Sequence, residues 1–106
     1  MIIIYEDDEI MDVIEYQKFT GKYKKLKSIT ALSREIKKIV SILRRVENVS
    51  SLKNYGALNY ERLKYNFSGK SSIRLGYNSK YRLIFEEFDN GIKVNVIEIS
   101  EHYGDK

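Results

Sequence analysis

The side chains best suited to chemistry gather in the second half of the chain. Arg74 in "SSIRLGY" and Arg82 in "KYRLIF" lie on neighbouring runs, and "VIEISEHYGDK" closes with Glu101, His102 and Tyr103. A guanidinium presents a rigid fork of donors that matches phosphate oxygens and stays charged at any working pH. Histidine, with an unperturbed pKa of roughly 6.5, can both give and take protons near neutrality. Set beside Arg74, Arg82 and Lys64, the closing acid, imidazole and phenol supply what cleavage of an RNA strand requires. A base takes the proton of the 2′-hydroxyl, an acid protonates the departing 5′-oxygen, and cations hold the five-coordinate phosphorus. Two plainer readings compete: cross-strand ion pairs of the arginines with Glu86 or Glu98, and a solvent-exposed chain end at His102.

Composition removes other chemistries. The 106 residues make one domain, with no cysteine and one histidine, so a disulfide framework and a thiolate metal site are both unavailable. No phosphate-cradling glycine loop, Ser-His-Asp set or cysteine nucleophile is present. Glu86 and Glu87 are adjacent on a strand and face opposite ways, which argues against a shared magnesium. No metal or cofactor is expected. No run approaches the roughly 18 apolar residues of a membrane span, and "MIIIYEDD" lacks a basic lead, so the expectation is a cytoplasmic protein without membrane contact.

Charge is polarised along the chain. Residues 1–15 carry six acids and no base, residues 16–52 ten bases and two acids, residues 53–82 seven bases and one acid, and residues 83–106 two bases and six acids. A basic middle is the usual electrostatic footprint of nucleic acid, although a solvated lysine-rich surface gives the same count. Lys22, Lys24, Lys25, Lys27, Lys37, Lys38, Arg62 and Lys70 are the candidate RNA- or ribosome-binding residues.

The elements that must position these groups follow from period. "IIIY" (2–5) lacks polar alternation and reads as a strand buried on both faces. "EDDEIMDVIEYQKF" has helical spacing, with acids crowding its first turn where they suit the helix dipole. "TGKYKKLK" reads as a basic connector. Ile29, Leu32, Ile36, Ile39, Leu43 and Val46 then define one apolar helical stripe, with Ser28 as the expected N-cap. After Gly56 the period falls to 2, and "NYERLKY", "SSIRLGY", "KYRLIFEEF" and "IKVNVIEIS" are strand candidates joined by short turns. Such links force antiparallel neighbours. The expectation is an α+β domain with helices on one sheet face. Ile73, Leu75 and Tyr77 share a face, as do Tyr81, Leu83 and Phe85, leaving Arg74 and Arg82 on the other. Whether Lys64 or Arg62 joins them depends on register.

The stretch from "NYERLKY" through "SSIRL", "YRLIF" and "EISEHYGD" resembles the HigB branch of the RelE/ParE toxin superfamily. The resemblance implies a RelE-like compact domain, with an N-terminal strand and two to three helices packed on a mostly antiparallel four- to five-stranded sheet. It implies a type II toxin that cuts mRNA in the ribosomal A site by 2′-hydroxyl attack, without a metal or cofactor, and that a HigA-like helix-turn-helix antitoxin neutralises. Carried over by position, Arg82 matches the phosphate-contacting arginine, Lys64 a basic active-site residue and Arg74 a cation on the preceding strand. Glu61 falls where some members place a catalytic histidine. The family tail commonly ends Asp-Tyr-His, whereas Glu101, His102 and Tyr103 present the same types in another order. A ParE-like inhibitor of DNA gyrase that cuts nothing is the alternative.

Overall fold

The computed structural model describes residues 1–65, 68–76 and 79–101. The chain runs through β1 (Ile2–Tyr5), α1 (Asp8–Tyr16), a 3-10 run over Gly21–Ser28 and α2 (Thr30–Arg45). Two short 3-10 turns, Val49–Asn54 and Gly56–Leu58, lead to β2 (Glu61–Arg62), β3 (Lys70–Arg74), β4 (Arg82–Phe88) and β5 (Lys93–Ser100). The strands form one sheet in the order β1-β5-β4-β3-β2, with β1 parallel to β5 and every other pair antiparallel.

Local chemistry explains most boundaries. Asp7 caps α1 by accepting the Ile10 amide at 2.9 Å, and Asp8 and Glu9 fill the first turn. The helix stops at Gln17, whose φ of 53° is left-handed. Ser28 does not cap α2 as expected. Its hydroxyl donates to the Lys25 carbonyl, and the basic segment is wound as a 3-10 run, so Ile29 takes the cap position with no side-chain bond. The turn from β4 to β5 places Asp89, Asn90 and Gly91 at φ of 54°, 57° and 85°. At Gly91 an added Cβ would also lie 3.3 Å from the Val49 nitrogen, so glycine is required by conformation and by space.

The stripe of α2 packs with Ile10, Val13 and Ile14 of α1 against Ile73, Leu83, Phe85, Val94, Val96 and Ile99 in a single core. Both helices therefore lie on one sheet face, as period and layer rules predict. β1 departs from its reading as a doubly buried strand. It is an edge, and Ile2 and Ile4 are 55% and 41% exposed, because helices cover only one face and β5 lies on only one side. "NYERLKY" yields only the two-residue β2. Tyr77 lies outside the described residues. Among the described residues, no helix is long and apolar enough to cross a membrane.

Candidate active site on the outer sheet face

The sheet face turned away from the helices is ordered by register. Its first row is Arg74, Arg82 and Ser100, on β3, β4 and β5. The second is Glu61, Ser72, Ile84 and Glu98. Arg74 and Arg82 thus share a face as their alternation requires, while β2 contributes Glu61 rather than Arg62. Arg62 is opposite Ser71, on the helix side, and pairs with Glu87 at 3.2 Å.

A bulge brings the end of β5 to this row. Ile84 pairs with Glu98 but Phe85 pairs with Val96, so Ile97 is an extra residue in β5. Val94 and Val96 point to the core, and strict alternation would carry Glu98 and Ser100 inward as well. The extra residue shifts the phase, so that Ile99 is buried while Ser100 aligns with Arg82. The sequence signal is present in "VNVIEI", where apolar positions step from 94 and 96 to 97 and 99. Alternation without that phase change misses it.

The two arginines differ in setting. Arg82 is 2% exposed, and its guanidinium reaches across β3. Nε donates to the Ser72 hydroxyl at 2.8 Å, and Nη2 donates to the Asn59 carbonyl at 2.6 Å, beyond the start of β2. Asn59 turns its carbonyl to that point from a left-handed backbone, φ 47°. Neither Ser72 nor Asn59 was singled out from the sequence, although alternation does place Ser72 on the arginine face. Arg74 is half-buried and forms no ion pair among the described residues. Glu86, one of the expected ion-pair partners, instead sits opposite Lys70.

Of the other predicted site residues, Glu61 is half-buried beside Ser72, and Lys64 is exposed beyond the end of β2. Glu101 follows the first row directly and pairs with Lys80 at 2.7 Å, which raises the Lys80 ammonium through that hydrogen bond. His102 and Tyr103 lie outside the described residues. Lys22, Lys24, Lys25 and Lys27 are all exposed on the 3-10 run, which Tyr23 and Leu26 anchor in the core. Burial pushes the Tyr23 phenol up, with the Ile99 backbone and the Glu98 carboxylate close by. The lysine run therefore adjoins the end of β5 from which the chain leaves the arginine row. Lys37 and Lys38 are exposed on α2, and Lys38 pairs with Glu35 at 3.6 Å. No group of three or more His, Cys, Asp or Glu residues that could hold a metal occurs among the described residues.

Comparison with known proteins places the fold. The chain is similar in structure to the YoeB/ParE toxin from Agrobacterium tumefaciens, with a TM-score of 0.59 and 17% identity over 97% of this chain and 100% of that one. YafQ from E. coli strain BL21(DE3) gives a TM-score of 0.55 and 13% identity over 92% of this chain and 89% of that one. A chain of the YoeB-YefM complex from Staphylococcus aureus gives a TM-score of 0.51 and 21% identity, covering 95% of each. No protein-family model and no curated protein matches the sequence. At these identities the likeness is one of fold: the α+β architecture is that of the YoeB and YafQ structures.

Proposed function

We propose that this chain is the toxin of a type II toxin–antitoxin pair, an endoribonuclease of the HigB kind that cuts mRNA on the ribosome. The observation that carries the reading is the row Arg74–Arg82–Ser100. It sets two guanidinium-bearing positions beside the point where the chain continues to Glu101, His102 and Tyr103. In this reading Arg74 contacts the scissile phosphate. Arg82, held beneath it, keeps positive potential on the row, and Lys64 orients the phosphate. One of Glu101, His102, Tyr103 or Glu61 takes the 2′-hydroxyl proton as the 2′-oxygen attacks the adjacent phosphorus. A second delivers a proton to the 5′-oxygen as its bond to phosphorus breaks. The products are a 2′,3′-cyclic phosphate and a 5′-hydroxyl, so atoms and charge balance without an added reactant.

The exposed lysines beside the end of β5, with Lys37, Lys38, Lys70 and Arg62, supply sequence-independent attraction for ribosomal RNA and message. The S. aureus neighbour, in its complex with YefM, supports an antitoxin partner, and a HigA-like antitoxin is the one proposed here. The test is mRNA cleavage in a translating extract. Arg74→Ala and His102→Ala should each lower cleavage at least tenfold. Normal cleavage by both variants would overturn the site. Inhibition of DNA gyrase that survives removal of residues 101–106 would establish the ParE-like reading instead.

A further inference from the structure

β1 is outermost in the sheet, with β5 as its one neighbour. The Ile2 and Glu6 amides donate to the Ile92 and Val96 carbonyls, both at 2.9 Å. Parallel pairing alternates, so the amides and carbonyls of Ile3 and Tyr5 point to the free edge. Soluble proteins usually blunt such an edge with charge, proline or a bulge, and "IIIY" carries none of these. Exposed apolar side chains collect at the same place. Ile2 and Ile4 lie on the outer face, with Phe88 in the row of Ile2 and Lys93, and Ile92 adjoins them. These make four of the six exposed large hydrophobic residues among those described.

We propose that this edge pairs with the same edge of a second copy of the chain, antiparallel across a two-fold axis at Ile4. Ile3 of each copy then faces Tyr5 of the other, and each of these pairs exchanges two main-chain hydrogen bonds. Ile4 meets its own counterpart on the outer face, a contact that closes on itself as a two-fold interface must. Charge selects the second copy and its direction. The carboxyl end of β1 runs into Glu6, Asp7 and Asp8. Its amino end sits against the last turn of α2, where the Met1 nitrogen donates to the Val46 carbonyl at 2.6 Å, next to Arg45 at the end of that helix and to Lys93, while Arg44 is paired with Glu15. Antiparallel pairing brings each acidic end to a basic one, whereas parallel pairing would oppose like charges.

Sedimentation velocity of the full chain over a hundredfold dilution series reads the equilibrium. The chain should sediment as a reversible dimer, and Ile4→Lys should raise the dissociation constant at least tenfold with an unchanged circular dichroism spectrum. Because the chain has no cysteine, Ile4→Cys offers an independent check. Opposed Cβ atoms about 4.5–5.5 Å apart should form a chain-to-chain disulfide under mild oxidation, and Tyr16→Cys should not. A monomer at every dilution overturns the proposal, as does a dimer that persists in Ile4→Lys and leaves Ile4→Cys uncrosslinked. Binding of an extended antitoxin peptide to a monomeric chain, lost in Ile4→Lys, would assign the edge to that partner and equally refute the dimer.

Discussion

Ser71 and Ser72, adjacent on β3, turn their hydroxyls to opposite faces of the sheet, and each takes part in a polar strap from β4 over β3 to the segment around β2. On the outer face Ser72 accepts from Arg82, which reaches on to the Asn59 carbonyl. On the helix face Ser71 donates to Glu87, which also accepts from Tyr60 and Arg62. Both serines are buried, so each strap joins β4 through β3 to the segment around β2. A strand of two residues has little pairing of its own, and the straps hold it in register.

Ser72→Ala removes the hydroxyl acceptor of a buried guanidinium. A hydrogen bond to a charged group contributes about 1.5–3 kcal/mol, and urea denaturation should show a loss in that range. Ser72→Thr, which keeps the hydroxyl, should recover part of it.

The arginines separate by stability as well as by activity. Arg74→Ala should reduce cleavage while leaving folding stability within about 0.5 kcal/mol. Arg82→Ala should lower both cleavage and the thermal midpoint, because Ser72 and Asn59 lose their shared partner. Equal thermal midpoints for the two variants would contradict the strap.

Acid should weaken the fold through Glu87 and Glu15. Burial works against each charged form, but hydrogen bonds outweigh it: Ser71, Tyr60 and Arg62 at Glu87, Arg44 and Tyr5 at Glu15. Both carboxyls therefore sit below their ordinary value of 4.5. The stability they contribute is present above that value and is lost as pH falls through the lowered folded-state range. Stability measured from pH 7 downward should decline there, and Glu87→Gln should flatten the decline.

Ile84 lies on the outer face yet is fully buried, outside the main core. Ile84→Ala should therefore cost about 2–5 kcal/mol, the range of a core truncation, where a solvent-facing position would cost almost nothing. Chemical denaturation distinguishes the two.

The two helices, the three longer strands of the meander, the α2 stripe and the alternation that puts Arg74 and Arg82 on one face were legible in the sequence. Period and turn chemistry are local properties, and they survive in any arrangement that buries the apolar face. Three features needed the assembled sheet. β1 became an edge because a parallel partner was available on one side only, which a run of three isoleucines cannot signal. Glu61 rather than Arg62 joined the arginine face because the pairing of Glu61 with Ser72 set the phase of a strand too short to set its own. Arg82, itself buried, bonds to Ser72 and Asn59, 10 and 23 residues away in the chain. The sequence by itself determined which groups are present and which alternate together. The tertiary structure decided which are covered and which meet, because register and burial depend on contacts between distant residues.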